Sequence, residues 1–278
     1  MKARWITRTL LLVAAFVTLF PLYWIVITSF KTQLDIGVTP TYLPWVDFMP
    51  TLDGWRWLLS EARSDVIRAI VNSLIVSGGS AVIATILGAG AGYGLTRFQY
   101  RWRFWRNDDI AFWFISQRML PPVAIVLAFF LMFRYLSLLD TRLGLTIAYT
   151  GFAIPFTVWI MRDAFAQVPL ELEESAGVDG ASAANIFFRI SLPIAVPGLV
   201  GSLLFAFVFA WNEYLFALML TFQQATTVPL LLASRITSFG AQWDQLSALT
   251  LTNLIPAAVL GIMLERFLIR GRTEGSLK

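Results

Sequence analysis

Six stretches of the chain run apolar for about the 20 residues that a helix needs to cross a bilayer. They are 9–30, 69–95, 110–133, 144–161, 197–220 and 247–269, with polar and charged residues gathered between them. The pattern predicts an all-α membrane protein with six transmembrane helices. Pro21, Pro121, Pro122, Pro155 and Pro256 fall inside these runs, which is tolerated where neighbouring helices re-satisfy the freed carbonyls. The first run follows Lys2, Arg4 and Arg8. It is longer than the roughly 7–15 apolar residues of a secretory signal, so it reads as an uncleaved anchor.

Orientation follows from the cations. With the N-terminus inside, Lys2, Arg4, Arg8, Arg97, Arg101, Arg103, Arg106, Arg162, Arg189, Arg266, Arg270, Arg272 and Lys278 are cytoplasmic. Seven lie outside: Lys31, Arg56, Arg63, Arg68, Arg134, Arg142 and Arg235. Thirteen against seven places both termini in the cytoplasm and leaves Arg118 within a span. The run from Arg97 to Arg106 reads as a charge anchor at a helix end. The chain divides into an N-terminal helix with its extracytoplasmic loop (1–68), a core of five helices (69–270) and a cytoplasmic tail (271–278). In the external loop, Leu52, Trp55, Leu58, Leu59 and Ala62 share one helical face, with Asp53, Arg56, Ser60, Glu61 and Arg63 opposite. A short helix lying in the membrane interface is expected there, with a platform for an external partner as the alternative.

Composition narrows the chemistry. The 278 residues are 58% hydrophobic and 14% charged, with a net charge of +4, about half the charge of an ordinary soluble domain. There is no cysteine and no histidine. Zinc sites, thiol nucleophiles and Ser–His–Asp triads are thereby excluded. Lys2, Lys31 and Lys278 are the three lysines and none follows a glycine, so no phosphate-binding GxxxxGK[ST] loop exists. The positive charge requires no nucleic acid; lipid headgroups suffice.

The connection 162–196 is the most informative segment. Pro169 suits a first helical turn, and Glu171, Glu173 and Glu174 lie near the positive end of that helix. Asp179 and Gly180 make a turn, and Ser182 can cap a second helix through Ile186, Phe187 and Ile190, which Pro193 and Pro197 stop. A tight helical hairpin with exposed apolar side chains should dock into something.

These residues resemble the permease subunits of ABC importers, whose cytoplasmic loop carries E-A-A, three residues, G, nine residues, I-x-L-P. Here Glu174-Ser175-Ala176 is followed by Gly180 and then Ile190, Leu192 and Pro193 at the matching spacing, with Ser175 in place of alanine. The segments Pro50–Leu52, Asn72–Leu74, Tyr93–Phe98, Leu139–Thr141 with Gly144–Leu145, and Trp211–Leu218 resemble the carbohydrate branch, in the second permease of a maltose- or polyol-type importer. The resemblance implies that the loop is a coupling helix seated on a separate ATPase dimer, which binds ATP and magnesium, and that this chain holds no cofactor. It further implies a second permease subunit, an extracytoplasmic sugar-binding protein and a bacterial or archaeal cytoplasmic membrane. A permease for a non-sugar solute and an ion-coupled secondary transporter are the alternatives. The latter would usually show internal repeats and several intramembrane acids, whereas Glu213 is the one acid deep in a span, Glu265 falling near the end of the last run. A membrane-embedded enzyme has no evident catalytic pair.

Asn72, Arg118, Trp211, Asn212, Glu213 and Asn253 are the candidates for the translocation path, since intramembrane polar groups face partners or wet cavities; the alternative is interhelical hydrogen bonding. On straight helices Arg118 lies roughly 12 Å and Glu213 roughly 24 Å from the cytoplasmic end, too far apart in depth to pair. Gly88, Gly90, Gly92 and Gly94 form two overlapping GxxxG patterns, read as close helix packing.

Overall fold

The structure, a computed structural model, describes residues 2–38, 40–101, 105–238 and 240–273. Met1, residues 274–278 of the tail and the side chains of Lys2, Arg4, Arg103, Arg266, Arg270 and Arg272 lie outside the described residues.

The chain is helical almost throughout. A long first helix, α1 (Lys2–Thr28), is followed by the short α2 (Gln33–Val38) and α3 (Asp53–Arg56), and a π turn leads into α4 (Arg63–Arg97). Next come α5 (Asn107–Ser116), α6 (Pro122–Tyr135), α7 (Arg142–Ala166), α8 (Leu170–Val178), α9 (Ala183–Ile186) and α10 (Leu192–Ile194). Then follow α11 (Val196–Trp211), α12 (Leu215–Leu220), α13 (Val228–Ala233), a two-residue hairpin of β1 (Ile236–Thr237) and β2 (Gly240–Ala241), and α14 (Trp243–Thr273).

Among the described residues four helices are long and apolar enough to cross a membrane: Ile6–Thr28, Arg63–Arg97, Arg142–Ala166 and Trp243–Glu265. Pro21, Pro155 and Pro256 are carried inside continuous helices, as expected. The other two predicted spans are not straight. Residues 110–133 break between Asn107–Met119 and Pro122–Tyr135, which meet at 89°. The paired Pro121 and Pro122 are the cause: neither donates a backbone hydrogen bond, and Pro122 starts α6 in the first-turn position that suits proline. The segment 197–220 ends its first helix at Trp211 and restarts at Leu215, because Glu213 turns its carboxylate onto the Phe216 amide (3.0 Å) and opens a new helix. The chain also bends by 76° between Ala183–Ile194 and α11. The count is six only if each bent pair makes one span.

Two compact units are present. One comprises Met1–Ile70 with Leu230–Pro256, the other Val71–Pro229 with Ala257–Lys278.

In the first unit, Lys31 organises the segment after α1. It is only 1% exposed, donates to the Thr41 carbonyl at 2.6 Å and lies over the rings of Trp24 and Phe48 at 4.4 and 5.0 Å. Burial pushes its ammonium below the usual lysine range, against the pull of Asp35 and Asp47. Asp47 in turn accepts from the Leu43 and Tyr42 amides, which hold its carboxyl below the ordinary value. The predicted amphipathic face of 52–63 is corrected here. Gly54, Trp57, Leu58 and Ala62 are buried, whereas Leu52 and Leu59 are exposed. The π turn Trp57–Glu61 inserts one extra residue and rotates the face. Gly54 is required for contact: a β-carbon there would stand 2.7 Å from the Asp244 carbonyl oxygen.

In the second unit, α7 is the central helix: more than half of its apolar window is buried (56%), against 6% for the window of α1. Of the glycine stripe, Gly88 and Gly92 make the close approach. A β-carbon on Gly88 would come within 2.5 Å of Thr157 Oγ1, and one on Gly92 within 2.7 Å of the Arg162 nitrogen. Gly90 faces open space and Gly94 meets only the Tyr100 hydroxyl, so one GxxxG pair seats on α7 and the other does not. Thr157 completes the contact by donating to the Ala84 carbonyl at 2.8 Å.

The loop ahead of α7 is held by an anion in a backbone nest. Asp140, at φ 55°, accepts from the consecutive amides of Phe222, Gln223, Gln224 and Ala225 at 3.0–3.2 Å. Its partial burial opposes ionisation, but the amides of Ala225, Gln224, Phe222 and Gln223 prevail and hold its carboxyl below the usual range.

Two outcomes are expected. Gly92→Val should prevent α4 from seating on α7, seen as loss of the monodisperse folded chain in detergent, whereas Gly90→Val should leave it intact. Asp140→Asn should raise amide exchange at 222–225 at neutral pH and cost about 1–3 kcal/mol. Because the folded-state carboxyl is the more acidic, the stabilisation in the native chain is present above the unfolded value near ~3.9 and is lost as pH falls through the folded one. The variant should lack that acid step.

Candidate functional sites: a braced helical hairpin and an aromatic cavity

The hairpin expected over 162–196 forms. Helix α8 starts behind Pro169 and ends at a turn in which Gly180 takes φ 83°, a conformation that favours glycine. Ser182 caps α9 by accepting from the Asn185 amide at 3.3 Å. A second π turn, Phe187–Ser191, and the three-residue α10 lead into α11.

Glu173 shares the first turn of α8 with Glu171 but has a different role from its neighbours. Glu173 is buried. It accepts from Arg97 Nε at 2.8 Å, Ser191 Oγ at 2.7 Å and the Tyr93 hydroxyl at 3.3 Å. Arg97 also donates to the Phe165 and Val168 carbonyls at 3.0 and 2.9 Å. Arg97 is thus not the exposed anchor expected of the Arg97–Arg106 run, because the terminal carbonyls of α7 and the Glu173 carboxylate draw it inward. Tyr93, Phe165 and Phe187 pack around the pair in edge-on and tilted contacts with centroids 4.8–5.9 Å apart. A buried ion pair of this kind is tolerated only where its remaining donors and acceptors are met.

The motif residues divide accordingly. Glu174, Ser175, Gly180 and Pro193 are exposed, whereas Ala176, Ile190 and Leu192 are half-buried. Leu192 packs on the core of Ala89, Tyr93, Met161 and Phe165. On the outer side Leu172, Val178 and Phe188 stand open to solvent, the last two at 89% and 64% exposure. The hairpin is therefore braced from within and apolar outside.

The helix breaks create the second feature, a cavity of about 510 Å³ lined by Arg118, Tyr149, Phe152, Phe209, Asn212, Glu213 and Tyr214 among others. Arg118, in the turn at 117–119, and Glu213, just before the restart at 215, both line this cavity. They form no ion pair within 4.0 Å. Arg118 lies against the rings of Phe156 and Phe209 at 4.7 and 4.8 Å and that of Phe152 at 5.8 Å. Asn212 donates to the Val208 carbonyl at 2.8 Å.

Three other path candidates do not line this cavity. Asn72 is a structural tie: it donates to the Gln224 and Thr226 carbonyls, both at 2.8 Å, and accepts from Arg142 at 2.7 Å. Trp211 is buried and stacked on Phe207 at 5.5 Å. Asn253 sits on α14. Tyr149, Phe152 and Phe209 were missed; they look like ordinary apolar core in the sequence, and only their convergence on the cavity distinguishes them.

Apolar helices long enough to cross a membrane, two bent helix pairs beside a cavity and a braced loop after the central helix are the features of a membrane permease. Residues 84–268 match the family described as the binding-protein-dependent transport system inner membrane component, and this chain belongs to it. A probable ABC transporter permease of Sinorhizobium fredii is 33% identical, covering 96% of this chain and 92% of that protein. The diacetylchitobiose uptake system permease protein of Streptomyces coelicolor is 32% identical over 93% and 91%. A chain of a bacterial ABC transporter involved in alginate import has the same fold, with a TM-score of 0.74, 22% identity and 94% coverage of both chains.

Glu173→Ala leaves Arg97 buried without its carboxylate, a change that costs about 3–5 kcal/mol. Amide exchange should rise across 170–191 with little change in the middle of α7; uniform exchange in both would refute the brace.

Proposed function

We propose that this chain is the transmembrane permease subunit of an ATP-driven importer that passes a sugar or polyol delivered by an extracytoplasmic binding protein. The observation that carries the reading is the hairpin: exposed Leu172, Val178 and Phe188 backed by the buried Glu173–Arg97 pair. An apolar surface of this kind calls for a partner, and a rigid one transmits the partner's movement. Glu174, Ser175, Ala176, Gly180, Ile190, Leu192 and Pro193 form the docking element for a separate ATPase dimer, which holds the ATP and magnesium.

Six spans put both termini on one side of the membrane, and the excess of cations assigns that side, with the hairpin, to the cytoplasm. The exposed apolar sides of α1, such as Leu11 and Phe16, suit lipid or a second permease subunit. The sugar class is supported by the diacetylchitobiose permease among the relatives and by a cavity that mixes ring faces with hydroxyl, amide and charged groups, the combination that carbohydrate recognition requires.

The test is co-purification of the chain with its partner subunits, followed by ATPase activity stimulated by binding protein across a sugar panel. Gly180→Asp should leave membrane insertion intact and reduce stimulated turnover at least tenfold. Gradient-driven uptake with no associated ATPase would overturn the reading.

A further inference from the structure

Arg118 brings a guanidinium into the cavity. No carboxylate lies within 4.0 Å of it among the described residues, and its one hydrogen bond is a long 3.4 Å contact from Nη1 to the Phe152 carbonyl. The guanidinium carries five N–H donors, and the rings of Phe152, Phe156 and Phe209 around it offer π faces but no lone pairs. Glu213 lines the same cavity, yet its oxygens are both turned onto the Phe216 amide at 3.0 and 3.2 Å. The cavity therefore offers an unmatched fork of donors beside an acid already engaged with the backbone. A planar fork of this kind matches a carboxylate in two-point fashion.

We propose that Arg118 is the specificity-determining residue of the cavity and selects an anionic carbohydrate, a sugar acid, over its neutral counterpart. This rests on the permease reading above and names its substrate class. The aromatic rings pack on the sugar's apolar face while Arg118 receives the acid group.

The experiment reads binding of D-glucuronate and D-glucose by the full chain in nanodiscs, alone and with its partner subunits. Wild type should bind glucuronate at least tenfold more tightly than glucose. Arg118→Gln should bring the two within twofold by weakening glucuronate alone, and Arg118→Lys should keep a smaller preference. Glu213→Gln should strengthen glucuronate severalfold by removing the nearby negative charge, an arm that holds even if Arg118→Gln fails to assemble. Equal affinity for both sugars in wild type, equal weakening of both in Arg118→Gln, or loss of the preference when phosphatidylglycerol replaces neutral lipid would each overturn the proposal. A complex that hydrolyses ATP on binding-protein addition but shows no preference defeats this inference alone, whereas absence of an associated ATPase defeats the permease reading.

Discussion

Arg97 is the point at which the intramembrane helices and the hairpin become one mechanical body. Its guanidinium takes the Glu173 carboxylate of α8 and the Phe165 and Val168 carbonyls at the end of α7, while its own backbone ends α4. One side chain thus ties the last turn of α7 and the loop just beyond it to the next helix. The remaining lone pairs of Glu173 are met by Ser191 and Tyr93, so the far arm of the hairpin is fixed by the same anion. Movement imposed on the exposed side of the hairpin is thus delivered to α4 and α7, which are in backbone contact at Gly88 and Gly92.

A second constraint shapes the membrane core. Backbone polar groups cannot be left unsatisfied in hydrocarbon, and irregular chain survives there only where protein or a wet cavity receives it. Both breaks obey this rule. The chain at 117–122 and at 211–215 opens onto the same cavity, and Glu213 caps the restarted helix. The price of leaving straight geometry is a set of loose helix ends, and these ends carry the cavity's charged and polar residues.

Much of this was legible beforehand. Apolar runs marked α1, α4, α7 and α14 because run length and a helix's rise set the same 30 Å scale. The hairpin was legible through Pro169 and Gly180, which act through the backbone, and through the Ser182 hydroxyl that caps α9; Pro193, expected to stop the second helix, lies inside α10 and the helical run continues to Ile194. The two breaks were less so: Pro121–Pro122 was visible as a possible interruption, but Pro155 and Pro256 look similar in sequence and leave their helices continuous. The roles of Glu173 and Arg97 were illegible, since a carboxylate one residue from Glu174 carries no mark of which side of the helix faces inward. The amphipathic face over 52–63 was misread because a π turn, which leaves no compositional trace, advances the register by one residue.

Local chemistry, then, was determined by the sequence itself: which segments are apolar enough to cross, where a helix can begin or end, and that no cysteine, histidine or phosphate loop supplies catalysis. Those properties depend on single side chains and their near neighbours. Tertiary structure alone decided that Asn72 ties loops together and does not line the cavity, that Arg118 and Glu213 share that cavity, and that Glu173 rather than Glu174 braces the hairpin. Each of these is set by groups from tens to more than a hundred residues away, and pairing at such distances is a property of packing that no local pattern encodes.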